Sequence, residues 1–187
     1  MVFLIILAVI IVIAIVLIAL YNGLVQARLR VDNAWSQIDV QLQRRFDLIP
    51  NFIETVKGYM THEKETFEKI TELRSSWSDN ASVAEKASLD NQLSTTLKSI
   101  MAISENYPDL KANQNFSELS EELRNTENKI SFSRQFYNDT VTTYNTKLEV
   151  FPSNLIANMF NFKPRELFQT ESSGARKNVK VDFGKNA

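Results

Sequence analysis

Residues 28–60 read RLRVDNAWSQIDVQLQRRFDLIPNFIETVKGYM. Apolar or bulky residues recur at Val31, Trp35, Ile38, Leu42, Ile49, Phe52, Val56 and Tyr59. The steps are four and three, so all of them lie on one stripe of a helix. The slot between Leu42 and Ile49 holds Arg45, a charge where the pattern asks for a hydrophobe. Arg45 either snorkels along the seam with its guanidinium in water or is held inside. Held inside, it needs a carboxylate, because an unpaired buried guanidinium costs several kcal/mol. Pro50 removes a helix donor and crowds the carbonyl of Phe46, which marks an expected kink.

The stripe continues toward the carboxyl end with Phe67, Ile70, Leu73 and Trp77. Gly23, the only glycine before Gly58, is a weak breaker, at about 1 kcal/mol. The pattern therefore predicts one rod over residues 2–77, bent near Pro50, with Thr61-His62-Glu63-Lys64-Glu65 as a polar face. Ser78-Asp79-Asn80 reads as a turn. Ser82 and Glu85 then have the spacing of a capping box for a helix carrying Val83, Leu89, Leu93, Leu97, Ile100, Met101 and Ile103. That helix should stop near Tyr107, ahead of Pro108. A connection over 108–114 leads to Asn115 as the expected cap of a third long helix. Its stripe is Leu119, Leu123, Ile130, Tyr137, Val141, Tyr144 and Leu148, closed by Pro152. Residues 153–161 suit a short fourth helix.

Short connections favour antiparallel neighbours, so the fold class expected is all-α, an up-down bundle of three long helices plus a short fourth. Glu127, the best candidate to answer Arg45, lies beside the third seam between Leu123 and Ile130. Arg134 follows one heptad later, and Asn138 and Asn145 follow Tyr137 and Tyr144. Arg45, Glu127, Arg134 and Asn138 are thus candidates for a buried polar layer. Such residues either fix register between helices or line a polar pocket. Beyond Lys163 the period fades. Val179, Val181 and Phe183 alternate with charges, but a lone strand has nothing to pair with, so the tail is expected to be flexible or docked.

Toward the amino end, residues 2–20 contain no polar side chain, and sixteen of the nineteen are Val, Ile, Leu or Phe. As a helix they span ~28 Å, about the hydrocarbon thickness of a bilayer. At roughly −0.3 to −0.6 kcal/mol per residue, insertion gains roughly 5 to 10 kcal/mol. A cleaved signal peptide is the competing reading. It requires a basic leader, a shorter apolar core and a small-residue cleavage site. The apolar run starts directly after Met1 and is too long, so a retained anchor is expected. Arg28, Arg30, Arg44 and Arg45 follow the span, and the positive-inside rule puts them in the cytoplasm. The expected protein is single-pass in the cell (inner) membrane, amino terminus out and bundle cytoplasmic. Its parts are an anchor (1–22), a bundle (23–162) and a tail (163–187).

Several chemistries are excluded or unsupported. There are no cysteines, so no disulfide, thiol nucleophile or thiolate metal site exists. The formal net charge is −1, without the basic footprint of nucleic-acid binding. His62 is the only histidine and lacks the second imidazole of a zinc helix. No Glu-x-x-His pair, phosphate-binding glycine loop or Gly-x-Ser-x-Gly elbow occurs. No cofactor and no catalytic activity are expected.

The blocks YNGLVQARLRVDNAWSQIDVQLQRRFDLIPNFIETVKGYMTHE (21–63), ENYPDLKAN (105–113), TENKISFSRQFYNDTVTTYN (126–145) and FPSNLIANMF (151–160) resemble, in the same order, those of the LemA family of bacterial membrane proteins. The resemblance covers nearly the whole chain. It implies a single amino-terminal span followed by an antiparallel helical bundle, with coiled-coil-like seams and no established catalysis. LemA-like proteins include a relative needed for magnetosome membrane vesicles, and they often lie beside genes for a membrane zinc metalloprotease. The expected function is a membrane-anchored scaffold or adaptor, with the bilayer, copies of itself and a membrane protein such as that protease as partners. Exposed Phe160, Phe162 and Phe168 would offer contacts, although the span has no GxxxG pair. The alternative is a ligand-sensing bundle that uses the polar layer near Arg45 and Glu127.

Overall fold

A computed structural model describes residues 1–60 and 62–169. All regular secondary structure among them is helical. Helix α1 runs from Val2 to Lys57 as one element of 56 residues. Residues 2–19 are exposed, and Leu24 is the first buried side chain. The apolar segment is thus a candidate membrane span that projects beyond the bundle and continues into it without a break.

The chain reverses at residues 58–63, where the sequence pattern predicts a continuous rod. The amides of Tyr59 and Met60 both bond to the Val56 carbonyl, and Met60 is buried. Helix α2 (Lys64–Ser75) then retraces α1. Trp77, just past its end, stacks on Phe46 at 4.4 Å and donates from Nε1 to Gln43 Oε1 at 2.9 Å. The break therefore follows Lys57, and Pro50 lies inside α1. His62 and Glu63, expected on a polar helix face, belong to the connection, and the helix resumes at Lys64. The physical reason is burial. Folding back places Phe67, Ile70 and Leu73 in one cluster with Phe46, Ile49, Phe52 and Val56, whereas a straight rod would carry those three side chains away from it.

Helix α3 (Val83–Ser104) starts at the expected capping box. Ser82 Oγ accepts from the Glu85 amide, and the Glu85 carboxylate accepts from the Ser82 amide at 2.7 Å. Because of the reversal, α3 runs parallel to α1: Lys86 meets Asp39, Asp90 meets Arg45, and Tyr107 beyond its end meets Glu63. One turn, α4 (Pro108–Lys111), buries Leu110. Helix α5 (Gln114–Glu149) is capped by Asn113, two residues before the expected Asn115. That cap accepts from the Phe116 amide at 3.0 Å and sets Phe116 against Phe52, with ring centroids 5.9 Å apart.

Helix α5 runs antiparallel to α1 along most of its length and forms the main pair with it. The short α6 (Ser153–Met159) buries Ile156 and Ala157 against Leu24 beside the apolar segment. The three long helices and the short fourth are present, but α1 and α3 run parallel, which corrects the up-down-up order expected of the three long helices: α2 returns between them and supplies the antiparallel arm. From Lys163 to Phe168 the chain turns back along α5. The segment containing Val179, Val181 and Phe183 lies outside the described residues.

Candidate functional site

Two polar systems lie on this scaffold, one at a break in an apolar stripe and one beside a stripe. The first is centred on Arg45, which is 1% exposed. Its Nη1 donates to Asp90 Oδ1 at 2.7 Å and to Ser94 Oγ at 2.8 Å. Nη2 lies 3.5 Å from Glu127, and Nε has no partner. Glu127 in turn pairs with Lys98 at 3.2 Å. The nearest carboxylate is therefore Asp90 on α3, which corrects the choice of Glu127 on α5 as principal partner. Glu127 stands at the rim, one-third exposed, where water screens its attraction. Asp90, Ser94 and Lys98 occupy successive turns of one face of α3, so they meet Arg45 and Glu127 in a row.

Burial pushes the Asp90 carboxyl above the ordinary carboxylate range. The Arg45 charge and hydrogen bond pull it down, and Arg134 on α5 adds a smaller pull. Burial wins, so the ion pair is held at a cost, as expected for charges removed from water.

A second buried cation lies one turn earlier on α3. Lys86 is 1% exposed. Its Nζ lies 2.5 Å from Asp39 and sits 5.0 Å over the Trp77 ring and 5.7 Å over the Trp35 ring. The two tryptophans, expected in the core, are half-buried against it and also enclose this ammonium. A desolvated cation–π contact is worth ~2 kcal/mol. The apolar stripe read for this helix includes neither Lys86 nor Asp90. A signal is present in the spacing: Lys86, Asp90, Leu93, Leu97, Ile100 and Ser104 form an unbroken four-three stripe. Half-buried Leu89 draws the pattern toward a neighbouring face.

The second system is a ladder on α5. Asn145 donates Nδ2 to the Arg165 carbonyl and accepts from the Arg165 amide, both at 2.9 Å. Asn138, one heptad earlier, does the same for Phe168 at 3.1 and 2.9 Å. The adjacent tyrosines repeat the pattern: Tyr144 donates to the Lys163 carbonyl and Tyr137 to that of Glu166. Burial pushes both phenols up, so they stay protonated donors. Seven residues of helix rise ~10.5 Å, and three residues of extended chain reach ~10 Å. Two Tyr-Asn pairs a heptad apart thus match backbone groups three residues apart.

Side chains complete the attachment. Phe168 is 1% exposed, near Trp35 and Tyr137, and Arg165 pairs with Asp32 on α1 at 2.8 Å. Asn138 is therefore not part of the Arg45 layer, and neither asparagine bonds between helices; both bind the chain's own carboxyl-side strap. Of the three phenylalanines expected to be exposed, Phe160 is, Phe162 is half-buried and Phe168 is buried. No cluster of three or more potential metal-binding side chains occurs among the described residues.

The family model described as "LemA family" matches residues 34–183. Protein LemA of Metamycoplasma hominis is 29% identical over 149 residues, which is 79% of this chain and 68% of that protein. Magnetosome proteins MamQ 1 and MamQ 2 of Paramagnetospirillum magneticum are each 29% identical over 85 residues. That overlap is 46% of this chain and 31% of each of theirs. With the family model covering most of the sequence and the helical architecture in place, the chain belongs to the LemA family.

Proposed function

We propose that the protein is a membrane-anchored scaffold or adaptor that works through protein–protein contacts. The observation that carries this reading is the open groove between α1 and α5, on the bundle's outer surface. Its volume is about 670 Å³, and Val40, Gln37, Asn128, Lys129 and Phe132 contribute to its walls. Phe132 is 77% exposed and Val40 63%, and Phe136 continues the apolar strip one turn along α5. Exposed aromatic side chains in a polar rim are the usual makings of a protein contact. The groove stands on the helix that continues into the candidate span, which would hold any partner near the bilayer. A second copy of the chain and a neighbouring membrane protein, such as the metalloprotease implied by family resemblance, are the proposed occupants.

The ligand-sensing alternative draws less support, because Arg45 is enclosed, its Nη1 donates to Asp90 and Ser94, and its Nη2 pairs with Glu127. A photo-crosslinking phenylalanine analogue at Phe132, activated in native membranes, is expected to give discrete adducts. Their masses identify a second copy or a membrane partner. Adducts to lipid alone, or none, would remove the groove as a contact surface.

The arginines following the apolar segment support a cytoplasmic bundle in this proposal. Because the sequence has no cysteine, a Ser99→Cys variant carries a single thiol on an exposed position of α3. In intact cells it is expected to resist a membrane-impermeant maleimide and to react after lysis. Rapid labelling of intact cells would reverse the topology.

A further inference from the structure

The corner between α5 and α6 exposes an unusual run of apolar side chains. Phe151 is 79% exposed, Met159 73%, Leu155 56%, Phe160 54% and Val150 46%. No charged residue occurs from Val150 to Phe162. The inner face of the same corner is well packed: Ile156 and Ala157 are buried against Leu24. The exposed side chains are thus the outer face of a docked element and do not belong to a frayed end.

Position identifies what covers that face. Leu20 packs against the α6 cluster, and the Tyr21 ring lies 4.8 Å from that of Phe160 and 5.9 Å from that of Phe162. Leu20 is the last residue of the apolar segment, and Leu24 lies only ~6 Å further along the helix axis. The corner therefore sits at the depth where a bilayer traversed by residues 2–20 would have its headgroups. Charged groups flank it: Lys147, the exposed Glu149 and Lys163 in sequence, and Arg28, whose guanidinium lies 5.3 Å over the Phe162 ring, with the bases in the majority. Apolar residues on one face with basic residues at the margin is the arrangement of a segment lying in the interface, buried ~5–10 Å at the boundary between headgroups and acyl chains.

We infer that the α5–α6 corner is a second membrane contact, a foot that inserts Phe151, Leu155, Met159 and Phe160 into the lipid surface beside the span. The occupant is lipid, given the continuity of this face with the apolar segment of α1. The inference rests on the reading of residues 2–20 as a bilayer span. Two attachment points would hold the bundle at a fixed tilt on the membrane, where a single helix would let it swivel.

The test uses full-length protein in vesicles of zwitterionic and anionic phospholipid. Single cysteines replace Phe151, Met159, Leu17 or Lys69 and carry an environment-sensitive fluorophore. Phe151 and Met159 are exposed, so the fold should accept the change. The vesicles contain lipids spin-labelled at the headgroup or high on the acyl chain. Labels at Phe151→Cys and Met159→Cys are expected to be quenched at least about half as strongly as the label at Leu17→Cys, by the shallow spin labels. The Lys69→Cys label, on α2 far from the span, is expected to keep its emission. Quenching at Leu17→Cys with none at Phe151→Cys and Met159→Cys would overturn the foot and leave the span intact. Absence of quenching at Leu17→Cys would remove the span and the foot together. A blue shift at Phe151→Cys that follows protein density and ignores the spin labels would assign the face to a second copy and overturn the lipid contact.

Discussion

Replacing Asp90 with leucine is expected to lower the stability of the full-length protein by ~3 to 5 kcal/mol, because it leaves the Arg45 guanidinium buried without its closest carboxylate. Glu127→Gln should cost less than ~1 kcal/mol, since that carboxylate is at the rim and screened by water. The two members of the pair are not equivalent. A guanidinium does not release its proton inside a protein, whereas burial already pushes the Asp90 carboxyl up. Arg45→Met should therefore be milder than Asp90→Leu, because the stranded acid can take up a proton.

That asymmetry has a signed pH dependence. In Arg45→Met the folded pKa of Asp90 rises further above its unfolded value, so the native state binds more protons between the two. Stability then falls as pH rises through that window and recovers as pH falls toward the unfolded value of ~3.9. Asp90→Leu has no such recovery at this site. The double variant Arg45→Met, Asp90→Leu should regain most of the loss, since replacing a buried pair with hydrophobes is often neutral or stabilising. Denaturant unfolding in detergent micelles measures all four states. An Asp90→Leu cost below ~1 kcal/mol, as for an exposed pair, would show that the charge is not confined as the structure has it.

The helices are legible in the sequence, and the reversal after α1 is hidden there. Val31 to Val56 and Phe67 to Trp77 share one phase, and a stripe in phase looks the same whether the chain runs straight or folds back. Gly58 is the available mark, but its modest helix penalty does not outweigh the continuous periodicity. Pro50 is the more forbidding residue, yet α1 continues through it. Arg45 stands out because a single charge interrupts a long apolar run. Its partner does not, because Asp90 and Lys86 both fall in one shorter stripe that therefore looks like a polar face. The Tyr-Asn repeat at 137–138 and 144–145 is visible as a heptad, and a heptad in a bundle suggests another helix. Nothing in periodicity distinguishes a helix partner from an extended strap with a matching three-residue repeat.

Replacing Asn138 with alanine is expected to release the strap at Phe168. The side chain supplies both an acceptor for the Phe168 amide and a donor to its carbonyl. Two hydrogen bonds at about 1 kcal/mol each correspond to a roughly thirtyfold rise in the open population. Amide hydrogen exchange reads this directly, because the Phe168 amide is protected by Asn138 itself and the Arg165 amide by Asn145. Phe168 should exchange roughly thirtyfold faster in Asn138→Ala, while amides within α5 keep their protection. Asn145→Ala should transfer the larger effect to Arg165. Asn138→Asp separates the two bonds: a carboxylate still accepts from the Phe168 amide but repels its carbonyl, so an intermediate rate or worse is expected. Burial of the Phe168 ring opposes release in every variant, at ~2 to 3 kcal/mol for a phenylalanine side chain. If Asn138→Ala changes exchange at Phe168 by less than about threefold, below the ~1 kcal/mol expected of even one lost bond, then the ring and the Arg165–Asp32 pair hold the strap, and the asparagine ladder only sets its register.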